Sequence, residues 1–148
     1  MASEETLAPE DKELRALLGN AETIAVVGLS SKPNRPSNDV SAYLQEHGYR
    51  IIPVNPRETE VLGEHAYASL LDIPKEIQVD VVDVFRRSEE TPAVARDAVE
   101  IGAKVLWLQE GIYNEEAYRI ADEAGLDVIM GVCIRRTKQR LDRGGMSS

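Results

Sequence analysis

Thr23-Ile24-Ala25-Val26-Val27-Gly28-Leu29-Ser30-Ser31-Lys32-Pro33-Asn34-Arg35-Pro36-Ser37-Asn38 is the stretch around which this chain is organised. Ile24 to Val27 form a short apolar run, Gly28 ends it, and a polar loop leads to Ser37 or Asn38 as the cap of a helix. A buried strand that turns at glycine into a helix start gathers backbone N–H groups, hydroxyls and the positive end of the helix dipole around one point. That arrangement holds anions, phosphate above all. The stretch reads as an anion cradle.

Outward from the cradle, strand and helix signals alternate. Leu14, Leu17 and Leu18 follow the spacing of one helical face before Gly19 and Asn20. After the first strand, about 23 to 28, comes a helix from about 38 to 47 that stops at Gly48. Arg50 to Val54 reads as a second strand, apolar enough to be covered on both faces. A short helix is expected from Ala66 to Leu71, a third strand from Val79 to Phe85, and a helix from Glu89 to Ile101 with Pro92 in its first turn. Lys104 to Leu108 is a fourth strand, a helix runs from about 114 to 124, and Asp127 to Met130 is a fifth strand. The basic stretch Arg135 to Arg143 is a candidate last helix. The expectation is one three-layer α/β domain over 10–143 with flexible ends at 1–9 and 144–148. Its doubly wound parallel sheet has about five strands, in the order 3-2-1-4-5.

Composition narrows the function. With 26 acidic against 17 basic residues the net charge is -9, which repels nucleic acid over the surface as a whole. One cysteine, Cys133, excludes an internal disulfide and suits a reducing compartment; its residue type suggests a small buried hydrophobe. No apolar run approaches the roughly 20 residues of a membrane span, and the first residues lack the basic start of a signal peptide. A cytoplasmic protein with no membrane partner is expected. His47 and His65 lack partners at metal-ligand spacing.

In a doubly wound sheet the loops that leave the strands' C-terminal ends share one edge, where ligands bind. Those loops supply Ser30, Ser31, Lys32 and Arg35, then Asn55 and Arg57, then Arg86, Arg87 and Ser88, then Gln109, Glu110 and Gly111. Cations concentrated at one edge of an acidic protein point to a ligand with several phosphates. The dinucleotide fingerprint fails, because Ser30 and Pro33 stand at its second and third glycine positions. Arg57 follows the second strand where an acid would take a ribose 2′-hydroxyl, so NADP or coenzyme A fits and NAD does not. The P-loop spacing is also absent.

Four successive segments carry a resemblance: Gly28-Leu29-Ser30-Ser31-Lys32-Pro33, Val54-Asn55-Pro56-Arg57, Val84-Phe85-Arg86-Arg87 and Gln109-Glu110-Gly111-Ile112. Over roughly residues 14 to 141 the chain resembles the small CoA-binding proteins related to the N-terminal domain of the succinyl-CoA synthetase α subunit. The resemblance implies a Rossmann-like, nucleotide-binding domain that takes coenzyme A or an acyl-CoA. It would place Gly28, Ser30, Ser31 and Lys32 at the pyrophosphate, Asn55 and Arg57 at the ribose and its 3′-phosphate, and Phe85 with Arg86 at the adenine side. The synthetase's phosphohistidine domain has no counterpart among these residues, so its ligase chemistry is not carried over. At the last strand this chain reads Met130-Gly131-Val132-Cys133, where related proteins often carry Asp-Arg-Cys. No nucleophile–base pair, acid pair or metal triad can be assembled from the edge loops. The expectation is a binding protein and no independent enzyme. The alternatives are an NADP-dependent oxidoreductase, with Tyr113 as its proton donor, or a CoA-presenting partner of a separate acyl-CoA enzyme.

Overall fold

The computed structural model describes residues 6 to 146. Five parallel strands form its sheet: β1 (Thr23–Val27), β2 (Arg50–Val54), β5 (Val81–Val84), β6 (Val105–Leu108) and β7 (Asp127–Met130). Every residue of β1, β5 and β6 is buried, as the continuous apolar runs require when both faces of a sheet are covered. One covering layer holds α1 (Asp11–Asn20), α2 (Pro36–Glu46) and α5 (Ile134–Met146), with Leu14, Leu18, Val40, Leu44, Ile134 and Leu141 packed on Ile24, Val26 and Trp107. The other holds α3 (Thr91–Glu100) and α4 (Glu115–Glu123). Ala95, Ala98, Ala117 and Ala121 are fully buried there, and small side chains let two helices and a sheet approach closely.

The doubly wound α/β class therefore stands, with a different strand order. The sheet runs β2-β1-β5-β6-β7, which is 2-1-3-4-5 when its strands are counted along the chain, in place of 3-2-1-4-5. Pro53 supplies the physical reason. A strand with partners on both sides needs N–H donors toward both, and proline has none, so β2 belongs at the edge. Its carbonyl turns away from β1 and accepts the Tyr67 N–H at 3.0 Å, so the missing donor falls on the outer side. Val81 is then free to pair directly with Ile24, and the order reverses between β1 and β5.

Outside β2, Tyr67 lies in an isolated parallel bridge with Val54, where the sequence suggested a short helix from Ala66 to Leu71. The open strand edge captures this backbone, and only Leu70–Asp72 forms a single 3-10 turn, closed by a capping box between Ser69 and Asp72. The periodicity also conceals a small hairpin, β3 (Glu60–Val61) and β4 (Glu64–His65). Its turn needs positive φ at Leu62 (55°) and Gly63 (79°), and leucine there is no turn signal.

Residues 1–5 and 147–148, within the ends expected to be flexible, lie outside the described residues. Leu7 exchanges two backbone hydrogen bonds with Met130, at 3.0 and 2.8 Å, and α5 runs on to Met146. Trp107 is fully buried and its indole donates to the Val132 carbonyl at 2.8 Å, in keeping with a core role. Among the described residues no helix is long and apolar enough to cross a membrane.

Candidate functional site

Gly28 is the pivot of the sheet's C-terminal edge. Its N–H donates to the Val54 carbonyl at 2.8 Å, and the Phe85 N–H donates to Val27 at 2.9 Å, so the ends of β2, β1 and β5 are joined around it. Its φ is +90°, and a Cβ built on it would stand 2.5 Å from the Phe85 carbonyl oxygen. Only glycine fits a left-handed turn pressed this closely against backbone.

Beyond Gly28 the loop is braced from within. Leu29 is fully buried as its anchor. The Ser30 N–H donates to Ser37 Oγ (3.0 Å), the Lys32 N–H to Ser30 Oγ (3.1 Å), and Asn38 Nδ2 to the Ser30 carbonyl (2.9 Å). Helix α2 accordingly begins at Pro36, with Arg35 at its cap position, earlier than the expected cap at Ser37 or Asn38. Proline is pre-shaped for the first helical position, which releases Ser37 and Asn38 to reach back to the loop. The loop after β2 adds two braces: Asn55 Nδ2 donates to the Leu29 carbonyl at 3.0 Å, and the Ser31 N–H donates to Glu58 Oε2 at 2.9 Å. Asn55 Oδ1 also accepts the Arg57 N–H at 3.0 Å, so both ends of that amide serve the scaffold.

Four of the cations expected at this edge are unpaired among the described residues. Lys32, Arg35 and Arg57 are exposed, Arg86 is half-buried, and none of them enters an ion pair among the described residues. Arg87 differs, since its guanidinium is held by Glu90 at 2.9 Å and Glu89 at 3.8 Å. Glu110 is bound to Arg136 at 2.7 Å, and Gly111 sits in an exposed turn with φ +84°.

Phe85 and Arg86 do not share one side of the edge. Successive residues of an extended segment face opposite ways, so Phe85 enters a cleft of about 660 Å³ on the α2/α5 side, while Arg86 lines one of about 480 Å³ against α3 with Pro56 and Ser69. The larger cleft is floored by Gln109 and walled by Asp39, Val40, Ile112 and Cys133. Arg135 and Arg136 of α5 also reach it, each already paired, with Asp39 and Glu110 respectively. Cys133 is partly buried, packed against the core on the α2/α5 side while it lines the cleft wall, so the small buried hydrophobe its residue type suggests holds in part.

Beneath that floor lies a buried carboxyl. Asp83 is fully buried in β5, flanked in register by Val26 and Trp107. Gln109 Nε2 donates to its Oδ1, while its Oδ2 has no partner. Burial pushes this carboxyl from 3.8 up to about 7, against the smaller opposing effect of the Gln109 hydrogen bond. The other end of Gln109 accepts the Ile134 N–H at 3.4 Å, so one amide links β5 to the first turn of α5. An aspartate inside the run Val81-Val82-Asp83-Val84 is the visible signal for this group; the arrival of Gln109 from the next strand is not.

A family model described as CoA binding domain matches residues 22–137. The chain belongs to the CoA binding domain family. The matched span of this CoA binding domain runs from the start of β1 into α5 and includes every residue gathered at the edge. The uncharacterized protein YneT of Bacillus subtilis (strain 168) is 48% identical over 127 residues, covering 86% of this chain and 93% of that protein. A solved structure of a hypothetical protein from Pyrococcus horikoshii OT3 superposes with a TM-score of 0.87 at 44% identity, over 90% of this chain and 93% of that one. The alpha subunit of ADP-forming acetate–CoA ligase II from Pyrococcus furiosus is 35% identical over 86 residues. That match spans 57% of this chain but only 18% of the ligase subunit.

Proposed function

We propose that this CoA binding domain takes coenzyme A or an acyl-CoA across the β1/β5 switch point, holding it chiefly through its phosphates. The observation that carries the reading is the group of cations that form no ion pair among the described residues, Lys32, Arg35, Arg57 and Arg86, around the Gly28 turn of a protein with net charge -9. An edge so placed attracts a multiply charged anion that the rest of the surface repels. Lys32 and Arg35, with the Ser31 hydroxyl and N–H, suit the pyrophosphate, and Arg57 suits the 3′-phosphate of the ribose. Ser30 and Asn55 act through the loop they brace. The adenosine end would take the Arg86 cleft and the pantetheine arm the larger cleft, whose charged walls are already neutralised in pairs.

Within this reading the domain binds and does not ligate. This chain matches under a fifth of the alpha subunit of that ADP-forming ligase, and among the described residues nothing gathered at the edge pairs a nucleophile with a base. Where such a domain serves a separate acyl-CoA enzyme, it would hand over a bound thioester.

Isothermal titration of nucleotide-free protein with coenzyme A is expected to show saturable one-to-one binding, and NADP under the same conditions none. Binding of NADP alone would replace this reading with that of an oxidoreductase. Arg57→Glu is expected to weaken coenzyme A about tenfold, at the low end for a charge-assisted contact because the guanidinium is exposed. Dephospho-coenzyme A, which lacks the 3′-phosphate, should lose less than threefold by the same reasoning. Equal losses for both ligands would remove Arg57 from that phosphate.

A further inference from the structure

The cradle loop is already holding an anion of the chain's own. Of its successive N–H groups, those of Ser30 and Lys32 are satisfied by hydroxyls within the loop and α2, whereas Ser31 donates to the carboxylate of Glu58 at 2.9 Å, across from the loop after β2. Glu58 is set there by its backbone, since its N–H closes a turn on the Asn55 carbonyl at 3.1 Å and Asn55 is itself tied to Leu29. The carboxylate has other places it could go, because Lys32, Arg35 and Arg57 stand on the same two loops. Yet among the described residues it forms no ion pair. Its bond is to the amide. A carboxylate oxygen on a cradle N–H has the geometry and charge of a phosphate oxygen there, and two anions cannot share one donor.

We propose that Glu58 is a specificity-determining residue of this site, a built-in competitor that occupies the Ser31 N–H until a ligand phosphate displaces it. This rests on the phosphate-binding reading above. A ligand that offers only one phosphate gains the amide but must eject a carboxylate and sit beside its charge. A ligand that also engages Arg57 or Arg86 with a second phosphate group offsets that cost, so Glu58 filters out small phosphates and admits large ones. Displacement also unties the Ser31 loop from the Glu58 loop, which gives the bound ligand the contact that held them together.

The test compares the wild type with E58Q, which keeps an oxygen for the Ser31 N–H but removes the charge, and E58A, which removes both. Titrations use coenzyme A and inorganic phosphate, with thermal melts to establish folding. The neutral amide is the weaker acceptor, so E58Q should bind coenzyme A about tenfold more tightly than the wild type. Inorganic phosphate, undetectable on the wild type, should become measurable on E58Q and E58A. The Ser31 amide resonance should shift on adding phosphate to either variant. Unchanged or weaker binding of both probes by both folded variants, with coenzyme A still binding the wild type, overturns the role of Glu58 and leaves the coenzyme A reading intact. Binding to the variants alone supports the competitor in its strongest form. Binding of coenzyme A and phosphate to none of the proteins overturns both.

Discussion

Gly28→Ala is expected to unfold the protein at markedly lower denaturant and to abolish coenzyme A binding. Two costs coincide at this position. The φ of +90° is a conformation that side chains rarely adopt, and the added methyl would lie 2.5 Å from the Phe85 carbonyl oxygen, a backbone atom that cannot rotate away. Together they amount to about 2 to 5 kcal/mol. To relieve the overlap, β1 and β5 must separate at the switch point, and the Gly28 N–H bond to Val54 goes with them. Urea denaturation should show a lower midpoint at an unchanged slope. Gly111→Ala is the matched control, because Gly111 has φ +84° but nothing within 4 Å of its Cβ position. It should cost only about 1 kcal/mol, the conformational part alone. Equal losses for the two would mean that the Phe85 contact contributes nothing.

Asp83→Asn is expected to stabilise the protein above neutral pH while leaving it nearly unchanged in acid. In the folded chain the Asp83 carboxyl titrates at about 7 rather than 3.8, because ionising it places a charge in the sheet's interior. Well below pH 3.8 it is protonated in both states and costs nothing. As pH rises the unfolded chain releases the proton first, so stability falls from there until the folded group has also ionised, and then levels off. The three-unit interval corresponds to a loss on the order of 4 kcal/mol. Asparagine stays neutral and keeps an oxygen for Gln109 Nε2, so the difference between variant and wild-type stability should be small at pH 4 and grow to several kcal/mol by pH 8 to 9, on the order of the linkage estimate. Taking that difference cancels the titration of every other group. Parallel stability profiles across this range would show that Asp83 ionises without penalty.

Burial of Asp83 also bears on the larger cleft. Gln109 is bonded at one end to Asp83 and at the other to the Ile134 N–H, and Arg135 and Arg136 follow directly on α5. The position of the cleft's basic wall is therefore tied to a carboxyl in the core.

What could be read directly from the residues was local. Apolar runs such as Ile24 to Val27 and Val105 to Leu108 mark buried parallel strands because covering both faces leaves no polar position. Gly28 and the following loop mark a strand-to-helix turn because turn residue and helix start are adjacent in sequence, and the anion site proposed there rests on that turn. Two features were legible but need a structural rule to extract: Pro53 places β2 at the edge, and strand alternation sends Phe85 and Arg86 to different clefts. The rest depends on contacts between residues distant along the chain. Ser31 meets Glu58 from 27 residues away, Gln109 meets Asp83 from 26, and Arg136 meets Glu110 from 26. Such pairs follow from strand order and loop packing, which no local spacing encodes. Periodicity and turn chemistry are local, so the layers, the parallel strands and the Gly28 turn are written in the order of the residues. Which loops face each other, which cations form no ion pair among the described residues and which carboxylate takes the Ser31 amide come from the folded chain alone, because they depend on where distant segments come to rest against one sheet.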